Sequence, residues 1–238
     1  MNVGKISDFR DGCRDAIPIC LGYIAVSFAF GIESCKIGMT PFQAFLTSLL
    51  NVTSAGQFSA LGVIAAGGSF IELAILQFII NLRYMLMSTA LSQKLDPELP
   101  TRHRLGISYG VTDEIFGMSV LRKGKLYPLY SYGLIIVSVF GWVLGTTLGA
   151  VSGQLMHPRL ISCLGLAIYG MFIAIIVPDT RTDKAVLGVV LSAMLMSTLF
   201  TYAPLLNTIS SGFRIIIVTV AIAAIASVIA PIKEDDHE

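Results

Sequence analysis

The sequence predicts an all-α, polytopic helical membrane protein, and three observations carry that prediction. Of its 238 residues, 55% are hydrophobic and only 13% are charged, where a soluble globular chain carries about 25% charged residues; the mean hydropathy is +0.79. Apolar runs near the ~20 residues needed to cross a bilayer recur along the whole chain. These runs do not alternate with period two, which excludes a closed β-barrel. That leaves the helix as the one element that pairs every backbone N–H and C=O inside lipid.

In chain order the apolar segments are Ala16–Ile32, Pro41–Ala66, Phe70–Leu91, Leu105–Leu121, Leu129–Leu155, Leu160–Val177, Ala185–Tyr202 and Phe213–Ile232. They predict about seven to eight transmembrane segments, some of them discontinuous. No linker is long enough to divide residues 1–238 into separate domains. Residues 1–15 form a polar leader holding Lys5, Asp8, Arg10, Asp11, Arg14 and Asp15, and 233–238 a polar tail. No A-x-A cleavage pattern follows the first apolar run, so it is read as a retained helix.

Two segments are interrupted. The second carries a polar and small island, Asn51-Val52-Thr53-Ser54-Ala55-Gly56-Gln57-Phe58. The fourth is short and holds Gly106, Gly110, Asp113, Glu114 and Gly117. The fourth is also flanked by basic connections on both sides, Lys94, Arg102 and Arg104 before it and Arg122, Lys123 and Lys125 after it. A simple crossing would put these on opposite faces, against the tendency of Lys and Arg to stay on the cytoplasmic side. The segment is therefore expected to be broken or re-entrant, which lipid tolerates only where the backbone is buried in protein. Discontinuous helices place half-helix ends at mid-membrane, where N-termini attract anions and freed carbonyls take cations.

Charges at membrane depth are costly and concentrate at functional sites. Arg83 lies inside the third segment and Asp113-Glu114 inside the fourth. On an unbroken helix, Gly106, Gly110, Glu114 and Gly117 share one face. Glu114 then points to a tightly packed side as the ion-pair partner of Arg83. Asp113 points about 100° away beside Tyr109 and Phe116, toward a cavity, as a proton carrier or an ammonium contact. Arg83 is read either as a structural ion pair or as a bidentate contact for a substrate carboxylate. Ser54, Gly56 and Gln57 supply further substrate contacts from the broken second segment, and Phe58, Tyr109 and Phe116 an apolar wall. Glu72, near the start of the third segment, is expected to reach the interface.

The fifth segment carries Gly141, Gly145, Gly149 and Gly153 at strict four-residue spacing, one helix face onto which another backbone can close. A shorter small-residue stripe, Gly22, Ala25 and Ala29, lies on the first segment. Nothing implies a metal or other cofactor. The four cysteines are scattered, and the three histidines form no metal-ligand spacing. A net charge of +1 gives no reason to expect nucleic acid. An enzyme is disfavoured by the lack of HExxH, Gly-x-Ser-x-Gly and Walker patterns. A structural or channel subunit of a larger complex leaves the embedded charges without a purpose.

These residues resemble the AzlC family of branched-chain amino acid permeases. The resemblance rests on Asn81-Leu82-Arg83-Tyr84, Thr112-Asp113-Glu114-Ile115-Phe116 and the stretch ending Ala55-Gly56-Gln57-Phe58. Two departures stand out: Tyr84 where the family commonly has His, and Gly165-Leu166-Ala167-Ile168 without the acid of the family's corresponding element. The resemblance implies a secondary transporter in the bacterial inner membrane that exports branched-chain amino acids. It also implies a gradient to drive export and a small hydrophobic AzlD-type membrane subunit as partner.

Overall fold

A computed structural model describes residues 4–153, 173, 177, 180–181, 183–203 and 208–229. All regular structure among them is helical: α1 Ile6–Asp15, α2 Ile17–Lys36, α3 Pro41–Leu50, α4 Ser54–Ala65, α5 Phe70–Ser92, α6 Thr101–Tyr109, α7 Asp113–Leu121, α8 Pro128–Gly153, α9 Lys184–Tyr202 and α10 Ser211–Ile229. Among the described residues, five helices are long and apolar enough to cross a membrane: α2, α5, α8, α9 and α10 from Gly212. The predicted sixth segment lies outside the described residues except at 173 and 177. The chain forms two compact units, Met1–Leu61 with Ile80–Ile168, and Gly62–Ile79 with Tyr169–Glu238.

The first unit is built on α2 and α8, which run parallel along a glycine seam. A Cβ at Gly141 would press on the Cys20 backbone, at Gly145 on Ile24 and Ser27, and at Gly149 on the Phe28 carbonyl. From α2, Gly31 meets the backbone at Thr146 and Ala150 in the same way. The four-residue glycine face is thus spent inside this chain, and Gly153 ends the seam in ordinary contact with Ile32. Of the stripe Gly22, Ala25 and Ala29 only Ala29 is buried, and Gly22 and Ala25 are exposed.

The polar leader is a helix that continues the seam. Gly12 of α1 packs on the Tyr130 carbonyl, and Gly133 of α8 on Phe9. Polar groups pin it there: Arg122 Nη2 lies 2.8 Å from Asp8 Oδ1 and its guanidinium stacks over the Tyr130 ring at 3.8 Å, while Tyr130 donates to Asp15 at 2.9 Å.

Both interrupted segments are helix–break–helix. The second starts with Pro41 behind a Thr40–Gln43 capping box and breaks at Asn51-Val52-Thr53. The fourth breaks at Gly110-Val111-Thr112, where Thr112 caps α7 by accepting from the Ile115 N–H at 3.3 Å. These breaks stop the continuous 3.6-residue register on which Glu114 was expected to share a face with Gly106 and Gly110. Gly106 packs on Tyr132 and Gly110 on Ile135, while nothing crowds Gly117.

The α6–α7 pair is re-entrant. Arg104 at the start of α6 donates to the Asp96 carbonyl at 2.8 Å, just beyond the end of α5. At the other end, Lys94 Nζ caps α7 by donating to the Ser119 and Arg122 carbonyls at 3.3 and 2.7 Å. Leu126 N–H then reaches Lys94 O at 3.0 Å. The segment therefore leaves the end of α5 and comes back to it, so both basic connections emerge on one side and the conflict with the charge rule disappears. The α3–α4 pair behaves likewise from the opposite end. It enters a short loop after α2 and reaches mid-α8, where Ser48 bonds Thr146 at 2.7 Å. It then turns back, with Phe58 edge-on to Phe30 at 5.5 Å.

Candidate functional site

The tips of the two re-entrant pairs meet beside α2, α5 and α8. A narrow cleft there is lined by Val52 and Ser54 from the first break and by Thr112, Asp113 and Glu114 from the second. Tyr23, Tyr84 and Trp142 complete it. Asp113 stands nine residues above Arg122, about 13 Å at 1.5 Å per residue, close to the middle of a ~30 Å hydrocarbon core. The cleft holds about 10 Å³, room for about one water.

Arg83 pairs with Asp113, Nη1 to Oδ2 at 2.7 Å. The expected Arg83–Glu114 pair does not form, because the break at 110–112 resets the register and turns Asp113 toward α5. Arg83 Nη2 also donates to the Tyr84 hydroxyl at 3.1 Å, and its guanidinium lies 4.9 Å from that ring. The pair is not sealed: the two side chains keep 38% and 41% of their exposure. Two polar atoms nearby are buried without a hydrogen-bond partner, Arg83 Nε and, at the first break, Thr53 Oγ1. Buried polar groups are almost always paired, so this spot keeps hydrogen-bonding capacity in reserve.

Glu114 belongs to a second network. The Tyr23 hydroxyl lies 2.6 Å from Glu114 Oε2 and 2.6 Å from Thr112 Oγ1. A phenol has one proton, and an ionised carboxylate only accepts. Tyr23 therefore donates to Glu114, and the Thr112 hydroxyl donates to Tyr23. The acid touches α2 through a hydroxyl chain and makes no ion pair among the described residues. Tyr23 is held by the edge of Trp142, ring centres 5.2 Å apart.

The other predicted contacts fall elsewhere. Gln57 is fully buried behind the cleft: its Oε1 accepts from Trp142 Nε1 at 2.8 Å and its Nε2 donates to Ser48 at 3.1 Å. In this conformation its amide ties the break to α8 and α3. Gly56 is buried at the start of α4 and outside the cleft lining, whereas Ser54 lines it. The expected wall of Phe58, Tyr109 and Phe116 is not the wall found. Phe58 meets Phe30 edge-on, Tyr109 bonds the Leu49 carbonyl, and Phe116 packs against the apolar core. The lining that sequence reasoning missed is Tyr23, Val52, Tyr84, Thr112 and Trp142. The one available signal was polar-tipped aromatics, including the chain's only tryptophan, inside otherwise apolar helices.

Glu72 also departs from expectation. In the second unit it is 4% exposed. Its Oε1 accepts from the Gly212 N–H at 3.0 Å and from the Ser210 hydroxyl, at the N-terminus of α10.

The residues brought together here coincide with a known family, since the family described as AzlC protein matches residues 18–156. The chain belongs to the AzlC family. Among its relatives, the "Inner membrane protein YgaZ" of Escherichia coli K12 is 26% identical over 81% of this chain and 82% of its own length. An uncharacterized membrane protein of Archaeoglobus fulgidus is 29% identical over 76% of this chain and 80% of its own. No solved structure matches. The cleft and both broken segments lie inside the AzlC match, whereas α9, α10 and the Glu72 partners on α10 lie beyond it.

Proposed function

We propose that this AzlC protein is a secondary transporter that exports branched-chain amino acids, with a small AzlD-type membrane subunit, across a bacterial inner membrane. The observation that supports this most is the half-exposed Arg83–Asp113 pair at mid-depth, where two opposed re-entrant tips meet. A zwitterionic amino acid offers the same two charges in complementary order. Its carboxylate takes the Arg83 fork and its ammonium takes Asp113, so the pair is replaced without leaving either charge unpaired in lipid. Ser54, which lines the cleft, and the unpartnered Arg83 Nε supply further hydrogen bonds. Val52, Tyr23 and Trp142 give an apolar wall for an aliphatic side chain. In the present conformation the cleft has no room for an amino acid, so binding requires the tips to separate. Glu114 shares the cleft but not the ion pair, which leaves it to carry a coupled proton.

The test is efflux from proteoliposomes loaded with labelled valine, with and without the small subunit. Valine, leucine, isoleucine and methionine are expected to compete for one site, since a single methylene changes binding by only about 1–3 kcal/mol. Lysine and aspartate are expected not to compete, because their extra charge would enter the apolar wall unpaired. Efficient competition by lysine, or no valine flux with both subunits present, overturns the assignment.

A further inference from the structure

The second unit contains a larger, mostly apolar groove with a polar rim that the transport site does not use. We propose that the groove between α9 and α10 binds one anionic phospholipid, with its phosphate on Arg214 and an acyl chain along Met194 and Val218. The groove has a volume of about 740 Å³. Only the short stretch 203–210 separates Tyr202 from Ser211, so the end of α9 and the start of α10 form one rim of the groove. Arg214, in the first turn of α10, stands at that rim with Ser197 and Thr201 of α9, and the deeper walls include Met194 and Val218. A polar end at interface depth above an apolar trough has the polarity profile of a phospholipid.

Charge supports an anion at the rim. Arg214 Nε is buried without an acceptor, and no carboxylate among the described residues forms an ion pair with this side chain. An arginine in a first turn sits at the positive end of the helix dipole, where a cation is disfavoured unless an anion joins it. Glu72 already accepts the Gly212 N–H and forms no ion pair with Arg214. Thr201 donates back to the Ser197 carbonyl at 2.9 Å, whereas the Ser197 hydroxyl is spent on no bond among the described residues and can face a phosphate. A guanidinium facing an anionic oxygen of a headgroup is the usual chemistry of basic lipid sites between membrane helices. Access favours a lipid over a soluble anion. No described residue of α9 is buried, and Met194 and Thr201 are exposed, so a ligand with a long apolar tail can enter sideways.

The experiment uses the full chain reconstituted in vesicles of phosphatidylglycerol and phosphatidylcholine in equal amounts. Lipid retained after extraction is counted by native mass spectrometry. The expected result is one retained phosphatidylglycerol, favoured at least tenfold over phosphatidylcholine, with retention falling at least fivefold in Arg214→Gln. Ala193→Phe, which fills the trough and leaves the charge, is expected to lower retention similarly; it decides the matter if Arg214→Gln does not fold. Wild-type retention in a folded Arg214→Gln protein, or in Ala193→Phe, overturns the proposal. Displacement of the lipid by free valine or inorganic phosphate also overturns it, by assigning the groove to a soluble ligand.

Discussion

The N-termini of α10 and α7 both hold acidic side chains, and they hold them differently. At the start of α10, Glu72 is almost wholly buried and its Oε1 is committed to a backbone N–H and a hydroxyl. At the start of α7, Asp113 is half-exposed on a cleft and meets a cation that keeps an unused donor, while Glu114 hangs on a hydroxyl chain. Each position suits a negative charge electrostatically, because helix N-termini favour anions. The difference is in what remains free. A carboxylate whose bonds are spent on backbone stabilises the fold, whereas one whose partner is partly exposed and keeps a free donor can exchange that partner for a ligand. In a membrane, embedded charge alone therefore does not mark a transport residue; the sign of one is unspent hydrogen-bonding capacity around it.

The sharpest way to break this contrast is to neutralise each acid. Asp113→Asn keeps the shape and removes the charge proposed to take a substrate ammonium. It is expected to lower valine efflux at least a hundredfold, equivalent to about 3 kcal/mol at 1.4 kcal/mol per tenfold, with a stability loss of only about 1 kcal/mol from the lost Arg83 pair. Wild-type efflux by this variant would place the cation contact elsewhere.

Glu72→Leu is expected to do the reverse. Removing the carboxylate leaves the Gly212 N–H and the Ser210 hydroxyl without their acceptor, at a cost of about 2–3 kcal/mol. Thermal unfolding in detergent should shift down, while efflux per folded molecule changes less than threefold. Unchanged stability with lost efflux would make Glu72 a transport residue and erase the distinction.

Much of this arrangement was legible in the sequence. The apolar runs gave the long helices because a bilayer dictates their length. The island Asn51–Phe58 and the glycines around Asp113 gave both breaks, and the paired basic connections gave the re-entrant path of α6–α7. What was not legible follows from one physical fact: a helix break erases angular register. Glu114 was placed on the glycine face by counting through Gly110, but the chain leaves the helix at 110–112, so Asp113 reaches Arg83 instead. Gln57 lies in the broken second segment, which makes it a candidate substrate contact; its hydrogen bonds to Trp142 and Ser48 are not revealed by sequence spacing. The leader looked only polar, yet Gly12 and Gly133 let α1 join the same seam as α2.

A smaller effect refines the ion pairing. In a double-mutant cycle on unfolding free energy, Arg83→Met with Asp113→Asn is expected to show coupling of about 1 kcal/mol, as for pairs in direct contact. Arg83→Met with Glu114→Gln should be additive within about 0.5 kcal/mol. The opposite ranking would restore the Arg83–Glu114 pair and make Asp113 the free acid.

The last and smallest effect concerns the hydroxyl chain. Tyr23→Phe keeps the ring against Trp142 and removes the one proton donated to Glu114. A net loss of about 1 kcal/mol of stability is expected, in the range of a single hydrogen bond. Flux separates a structural bond from a coupling role. If Glu114 carries the coupled proton, Tyr23 holds that acid against α2 in one conformation, and losing the hydroxyl frees it from that position. Concentrative valine efflux driven by a pH gradient should fall several-fold, while valine–valine exchange, which needs no net proton movement, should stay near wild type. Equal loss in both modes would mean that Tyr23 only shapes the cleft, and Glu114 would then join Glu72 as an acid that serves the fold.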